Sequence, residues 1–486
     1  MRNTFAPINR IPQEVLSLIP DHCDTDKDLI ALTHVCRGWR ELFISRSSLW
    51  TFLDCTDVDK TRVYLERSRT SPLEIYLEEE EDTTYLNDAF LLTVPHLGRL
   101  GSLTLSGSSD NLLQLTKHFA SPAPLLEKLK LTFTRTQTPI IQGVIFGGNL
   151  SSLRELRLSG VIANKAWENM SNLRTFDLRQ IPTNKISVTQ LLNVFECAPL
   201  LRKIHLRDAF PTSSDAPPGR VVPLPNLKFL TIVAQPVHTV LLNHLLIPAG
   251  ASVQQYFNFS DEKSPIPAYL PKTFNNLNHL SHITSINLTF DAGMCLRLDG
   301  PNGGLCLHGH WVGAASIPHA LDRRVLRSLT LFRISKVERL VIGQYRASPP
   351  TKIEESPVYL TLLPLNNLRT LTLADCYNLP FIAALTPERN SSRTVVCPKL
   401  EELVLYEDDK DQLCINRLLK MAEDWASRGA KLSTIAIVAP QEIVPAKEVL
   451  KLRNHVSRVE YRLDDAVPEW DDIPGDTDDP GCESDW

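Results

Sequence analysis

The sequence predicts an α plus α/β protein: a three-helix domain at the N-terminus, followed by an irregular solenoid with one strand per repeat and helices or loops on its convex side. Two patterns predict this fold class. The first fifty residues space apolar side chains for short helices, and from about residue 73 to 463 one apolar phrase recurs with strand spacing.

The chain begins with residues 1–7, which we expect to be disordered, and continues into the helical domain at residues 8–54. Pro12 suits the first position of a helix, because its missing N–H would have no partner there in any case. Thr25, with Asp28 three residues later, predicts a capping pair at the start of the second helix. Fifty residues cannot bury all the apolar side chains of this stretch, so some of them should contact the rest of the chain or another protein.

This stretch resembles an F-box, the helical module by which substrate adaptors dock on the linker subunit of SCF-type cullin–RING ubiquitin ligases. The residues that carry the resemblance are Pro12, Val15, Leu16, Leu29, Leu32, Val35, Cys36, Arg37, Trp39, Arg40, Leu49 and Trp50. The linker-binding residues that it implies are Ile11, Pro12, Val15, Leu16, Ile19, Leu29, Leu32, Val35, Cys36 and Trp39. Pro20 departs from the family's pattern and should end the first helix early.

Residues 55–463 repeat a phrase of leucine, two residues, apolar, one residue, apolar. The phrases begin at Leu100, Leu126, Leu153, Leu173, Leu201, Leu227, Ile283, Leu326, Leu368, Leu400, Leu432 and Val456. The last two apolar positions are two residues apart, so on a strand they point to the same side. Most steps between the early phrases fall in the range of leucine-rich repeats, which the segment resembles in their irregular form. Leu73–Leu77 should open the array, and Phe257–Phe259 should fill its long gap.

Helical spacing between phrases, as in 187–198 and 416–428, predicts helices on the convex side. Two interruptions are expected. Alternating apolar runs around a Gly/Asn-rich turn predict a hairpin insertion near 293–312, and 342–359 has the composition of a loop. From residue 464 to 486 the chain is acidic and contains no Lys or Arg, which favours a disordered tail.

Composition excludes several classes of function. The net charge of −5 gives no sign of nucleic-acid binding, and no apolar run is long enough to predict a membrane span. The 10 cysteines are scattered and form no C-x-x-C pair, which favours reduced thiols and a location in the cytoplasm or nucleus. We expect no cofactor and no enzymatic activity, because no phosphate-binding glycine loop, nucleophile elbow or zinc-protease motif is present.

One group of residues has the chemistry of metal ligands. Cys306, His308 and His310 alternate along one predicted strand and so share a face. Three ligands within five residues cannot by themselves surround a tetrahedral ion, and His319 is the nearest further candidate. We therefore expect no metal there.

The strand residues beside the apolar pairs should line the concave surface of the solenoid. In the early repeats they are mostly basic, and the predicted client-binding residues are Lys128, Lys130, Arg157, Arg179, Lys203, His205 and Arg207. Such a cluster favours an acidic or phosphorylated protein segment. An ordinary solvated surface is the other interpretation.

The resemblance implies a fungal-type adaptor with an F-box and a leucine-rich-repeat domain. Its partners would be the linker subunit, through it the cullin and RING subunits, and a protein client. The residues alone leave a second interpretation open, in which the N-terminal helices only cap a leucine-rich-repeat scaffold or inhibitor.

Overall fold

The computed structural model describes residues 8, 11–23, 25–78, 86–108, 114–134, 140–141, 145–163, 169–182, 185–209, 215–233, 241–259, 276–290, 293–301, 303–311, 326, 329, 332–344, 355–374, 378–386, 395–406, 413–430, 432–439 and 446–463. The segments predicted to be disordered, 1–7 and 464–486, lie outside these residues. The chain forms two compact units, Met1–Pro248 and Ala249–Trp486. Within the described part, no helix is both long and apolar enough to cross a membrane.

The first unit opens with three α-helices, Gln13–Leu16, Asp26–His34 and Arg37–Ser45, and the 3-10 helices Ile19–His22 and Ser47–Trp50. The predicted capping pair is confirmed, because the Thr25 and Asp28 side chains each bond the other's backbone N–H. Pro12 is the N-cap of the first helix and not its first helical residue, which corrects the prediction. Pro20 lies in the following 3-10 helix, so the first helix is indeed short.

The strands of the first unit are β1 (Phe52–Leu53), β2 (Leu73–Glu78), β3 (Leu100–Gly107), β4 (Lys128–Phe133), β5 (Ile140–Ile141), β6 (Glu155–Ser159), β7 (Ile162–Ala163), β8 (Thr175–Ile181), β9 (Lys203–Ala209), β10 (Val222–Pro223), β11 (Phe229–Val233) and β12 (Leu245–Leu246). A parallel sheet runs β1–β2–β3–β4–β6–β8–β9–β11. Two short parallel pairs, β5–β7 and β10–β12, lie outside it. Its other helices are Val58–Ser68, Leu86–Thr93 and Val188–Cys197, with 3-10 segments Val94–Arg99, Lys117–Ala120 and Ile145–Gly148.

The apolar phrase builds this sheet in two ways. Its second position forms a buried row across adjacent strands: Leu103, Leu129, Leu156, Phe176, Ile204 and Leu230. Its leading leucine closes a tight turn before the strand, as where the Leu153 N–H donates to the Leu150 carbonyl at 3.0 Å. Each strand therefore buries its apolar residues beside those of its neighbours, which is why the strands follow one another in chain order.

The strands of the second unit are β13 (Ser252–Phe259), β14 (Ser285–Phe290), β15 (Gly293–Asp299), β16 (Gly304–Trp311), β17 (Arg339–Gln344), β18 (Thr370–Ala374), β19 (Glu402–Tyr406), β20 (Thr434–Ala439) and β21 (Arg458–Leu463). Its helices are Glu355–Leu362, Asn378–Leu385, Leu413–Ser427 and Ala446–Leu452, with 3-10 helices Asn278–His282 and Ile334–Lys336. The sheet order is β13–β16–β15–β14–β17–β18–β19–β20–β21.

The predicted hairpin at 293–312 is confirmed as β15 and β16, and it lies within the sheet between β13 and β14. The pairs β14–β15 and β15–β16 are antiparallel, whereas all other pairs of this sheet are parallel. The short connections at 291–292 and 300–303 explain the reversal, since a parallel crossover needs a dozen or more residues.

Two predictions for the second unit are wrong. Leu326 and Leu329 lie in helical backbone, and the strand begins instead at Arg339, after the turn at Val337. The expected loop at 342–359 contains the end of β17 and the start of the helix Glu355–Leu362, while residues 345–354 lie outside the described residues. Leucines three residues apart lie on one face of a helix as readily as they begin a strand phrase, so the spacing alone could not separate the two.

Candidate functional site

The N-terminal helices pack around a small aromatic core of their own. Leu16, Trp39 and Phe43 form its buried centre, and Ile19, Leu32, Cys36, Leu42 and Leu49 pack against it. The Trp39 and Phe43 rings meet edge to face with centroids 5.5 Å apart, a favourable aromatic arrangement. This core holds the three helices together.

The structure divides the ten predicted linker-binding residues by exposure. Leu16, Leu29 and Trp39 are buried within the chain, and Ile19, Leu32 and Cys36 are half-buried. Leu16 therefore does not face outward as a linker-binding residue would, and Trp39 supports the domain from inside. Ile11, Pro12, Val15 and Val35 remain on the surface.

Among the described residues before Trp50, three further large apolar residues that were not predicted as linker-binding are exposed: Ile8, Leu18 and Ile30. Ile8, Ile11, Val15 and Leu18 follow one another at intervals of three or four residues, a spacing from which Ile8 and Leu18 could have been predicted. Val15, Leu18 and Val35 are each more than half exposed, at 51%, 54% and 51%. We call the six residues Ile8, Ile11, Val15, Leu18, Ile30 and Val35 the exposed apolar set.

The helical domain is joined to the first sheet through Trp50. Its indole N–H donates to the Phe43 carbonyl at 3.0 Å, and its ring packs edge to face on Tyr64. The Arg67 guanidinium lies over the same ring, 4.4 Å from its centroid. Immediately after it, β1 pairs with β2. The end of the helical domain is thus also the first part of the sheet.

A charged cluster makes a second connection. Lys60 pairs with Asp54 at 2.5 Å and also with Asp26 at the start of the second helix. Burial opposes ionisation of both Asp54 and Lys60. At Asp54 this is outweighed by hydrogen bonds from Lys60 and the Thr56 backbone, and at Lys60 by hydrogen bonds to Asp26 and Asp54. The pKa of the Asp54 carboxyl is therefore lowered, and the pKa of the Lys60 ammonium is raised.

Comparison with known proteins bears on this region. Residues 8–56 match the family model of the F-box-like domain. The match spans the helices, the exposed apolar set, Trp50 and β1. A search of the curated proteins finds no match for the chain. The chain thus contains an F-box-like domain, a type of domain that suggests an SCF adaptor role in general terms.

The seven predicted client-binding residues lie outside the F-box-like domain, on the adjacent strands β4, β6, β8 and β9. We call them the basic strand face: Lys128, Lys130, Arg157, Arg179, Lys203, His205 and Arg207. In register, Lys130 is beside Arg157, and Arg179 is beside Arg207. The sheet thus brings together cations that are up to 79 positions apart in the sequence.

Two carboxylates lie within the basic strand face and reduce its net charge. Asp177, which is buried, accepts from Arg179 at 2.9 and 2.8 Å in a two-pronged pair. Glu155 accepts from the Arg157 guanidinium at 2.5 Å. Lys128 and Lys130 are exposed. The face is therefore mixed in charge with a surplus of cations, and Arg157 and Arg179 are held in place by neighbouring acids.

A cysteine and histidine cluster in the second unit involves a residue that the sequence analysis did not consider. Cys295 of β15 lies beside Cys306 and His308 of β16, with 3.7 Å between the sulfurs and 3.0 Å from Cys306 Sγ to His308 Nε2. The hydrogen bond with Cys306 lowers the pKa of the Cys295 thiol to about 5 against the effect of burial, and it raises the pKa of Cys306. The side chain of His310 lies outside the described residues. Cys295 lies beside Cys306 and His308 because the register of the β15–β16 hairpin places it opposite His308.

Proposed function

We propose that the protein is a non-catalytic substrate-recognition adaptor of an SCF-type cullin–RING ubiquitin ligase, working in the cytoplasm or nucleus. The F-box-like domain would bind the linker subunit, and through it the cullin and RING subunits. The strand-rich remainder would bind a protein client. Ubiquitin transfer itself would be carried out by the partners.

The observation that carries the proposal is the exposure of apolar side chains on a domain whose own core is already filled. Leu16, Trp39 and Phe43 satisfy the interior, yet Val15, Leu18 and Val35 stay more than half exposed. Several large exposed apolar residues in so small a domain favour an interface with another protein.

The rest of the chain supports the finer part of the proposal, that it is a leucine-rich-repeat solenoid. Within each unit most strands are parallel and follow chain order, and leading leucines such as Leu126 and Leu400 close the same kind of turn. Stacked repeats of this type are stiff, because each contacts its neighbours along its length.

A stiff repeat array would make the adaptor effective in a simple way. If client and conjugating enzyme are held in one assembly, attack by a client lysine becomes an intramolecular step at a high effective concentration. The geometry then decides which lysines are reached.

The client would contact the basic strand face. Its surplus of cations favours an acidic or phosphorylated segment, since guanidinium groups pair with carboxylate and phosphate through two parallel hydrogen bonds. The pairing of Arg179 with Asp177 shows the geometry such a contact would use.

The alternative is a repeat scaffold or inhibitor whose N-terminal helices serve only as a cap. The contacts of Trp50 with Phe43 and Tyr64, and the pairing of β1 with β2, favour a role of the domain's end in stabilising the first sheet. Such a role does not require a linker subunit. The exposed apolar set would then have no function.

The test uses the full chain with a purified SCF linker subunit. Val15→Ser combined with Val35→Ser removes apolar surface without adding charge or touching the core. The matched control is Leu125→Ser with Leu200→Ser, two exposed leucines of the same unit at 46% and 39% exposure. We expect the wild type and the control to bind the linker and the first variant to bind at least tenfold more weakly, about 1.4 kcal/mol. Failure of the wild type to bind would favour the scaffold alternative.

A further inference from the structure

We propose that Cys295, Cys306 and His308 form a zinc-binding site in the second unit, with three protein ligands and a water molecule in the fourth position. The site is independent of the proposed adaptor function. It lies on the hairpin β15–β16, where the sequence alone predicted no metal.

The hairpin register places the three side chains at neighbouring positions. Cys295 is directly opposite His308 on the adjacent strand, and Cys306 precedes His308 by two residues. Residues two apart on a strand lie on the same side, so all three side chains project from one face of the sheet. Leu305 and Leu307, between and beside them, are buried on the other face.

The distances suit a zinc ion. Zn–S bonds of about 2.3 Å and Zn–N bonds of about 2.0 Å at tetrahedral angles place ligand atoms about 3.5 to 3.8 Å apart. The two sulfurs are already 3.7 Å apart, and the three ligand atoms lie within 4.8 Å of one another. Cys306 Sγ and His308 Nε2, at 3.0 Å, need to separate by only about half an ångström to meet the tetrahedral spacing.

Neighbouring groups hold the ligands in position. The His308 ring stacks on Tyr256, with centroids 4.5 Å apart and planes 6° from parallel, which fixes the ring plane. At the hairpin turn, a Cβ on Gly303 would lie 2.3 Å from the Ala251 carbonyl oxygen, so the turn is packed closely against the chain before β13. A site that needs little rearrangement binds its ion without a large ordering cost.

The ligand types select the metal. Thiolates are soft ligands that favour zinc and disfavour magnesium and calcium, which take oxygen ligands. Two thiolates balance the double charge of the ion. Cys295 and His308 are only partly buried, whereas Cys306 is buried, so the fourth position opens towards solvent. A three-ligand site with one open position is the expected outcome.

The experiment uses the full chain, freed of metal by a chelator and kept under a phosphine reductant. Zinc is titrated in competition with a chromophoric chelator, and cobalt(II) is added separately to report thiolate ligation by its charge-transfer absorption. We expect one zinc ion per chain and the cobalt–thiolate band in the wild type. Cys295→Ser and His308→Phe should each weaken zinc binding at least about a hundredfold, because each removes one of three ligands.

The variants are chosen to separate metal binding from folding. His308→Phe keeps an aromatic ring to stack on Tyr256, and Cys197→Ser removes a half-buried thiol of the first unit as the matched control. The control should bind zinc like the wild type. Unchanged zinc affinity in Cys295→Ser and His308→Phe would overturn the site, and so would a reduced wild type that binds no zinc. A wild type whose two hairpin thiols form a disulfide in air and take no metal when reduced would also overturn it.

Discussion

At the scale of single residues, adjacent positions in the first helix have opposite roles. Leu16 is 6% exposed and belongs to the centre of the helical core, whereas Val15 is half exposed. The F-box resemblance assigned both to the linker interface. Burial separates them: a buried leucine contributes to folding stability, and an exposed valine is available to a partner.

Leu16→Ala should therefore mainly lower the free energy of unfolding, whereas Val15→Ala should mainly weaken linker binding. Leu16→Ala should lower the free energy of unfolding by about 2 to 5 kcal/mol, because it leaves a cavity beside Trp39 and Phe43. Val15→Ala should change it by less than about 0.5 kcal/mol but weaken linker binding. Chemical denaturation of the full chain and calorimetric titration with the linker check the pair. Equal stability losses in the two variants would contradict the assignment.

The Asp54–Lys60 pair makes the stability of the first unit depend on pH. The pKa of Asp54 is lowered on folding, so its contribution is present above the unfolded carboxyl pKa of about 4 and is lost as the pH falls through the folded value. The pKa of Lys60 is raised, so its contribution is present below the unfolded pKa of about 10.4 and is lost as the pH rises through the folded value.

Lys60→Met should reduce this pH dependence while keeping most of the unbranched apolar part of the side chain. Near pH 7 the variant should be less stable than the wild type by about 1 to 3 kcal/mol, because Asp54 and Asp26 lose their shared cation. The difference should shrink as Asp54 becomes protonated in acid. Unfolding temperatures of both proteins across the pH range measure this. A difference that stays constant from neutral pH into acid would exclude the pair as its source.

At the scale of elements, the apolar phrase predicts strands well where its leading residue closes a turn. In six successive phrases, the second position, from Leu103 to Leu230, forms one buried row across adjacent strands. It failed at Leu326, where the same spacing lies in helical backbone, and it overlooked Val337, which carries the same pattern. Apolar residues three positions apart are compatible with both a helix and a strand. Which of the two forms depends on the neighbouring strands against which the segment packs.

The two candidate sites differed in how far the sequence could predict them. The basic strand face follows directly from strand alternation, because residues beside each apolar pair must project to the other side. The acids that hold its arginines, Asp177 and Glu155, were visible in the same positions. Cys295 could not be placed beside Cys306, since that contact depends on the register of an antiparallel hairpin.

Reversing the charge of the basic strand face should abolish client capture. Arg157→Glu, Lys203→Glu and Arg207→Glu together replace three cations by anions, which repel an acidic or phosphorylated segment. Proteins that co-precipitate with the full chain, quantified by mass spectrometry, are the measurement. The control reverses three exposed lysines away from these strands, Lys117, Lys185 and Lys420, and has the same net charge. The idea fails if both triple variants retain the same proteins as the wild type.

At the scale of the whole molecule, the F-box-like domain is structurally connected to the sheet that follows it. Trp50 donates a hydrogen bond to the Phe43 carbonyl and packs on Tyr64. Strand β1, which lies within the matched residues 8–56, pairs with β2, which lies beyond them. Removing residues 1–55 would take away both contacts and expose the edge of β2. A truncated chain could then lose its client through misfolding, so point substitutions in the exposed apolar set test the adaptor role more cleanly.

Hydrogen–deuterium exchange of the full chain with and without the linker subunit tests the adaptor role most directly. We expect added linker to slow exchange in the region of the exposed apolar set, from residue 8 to residue 35, while exchange in the second unit stays unchanged. Complex formation without protection in that region, or protection only in β13 to β21, would contradict the assignment of this surface to the linker.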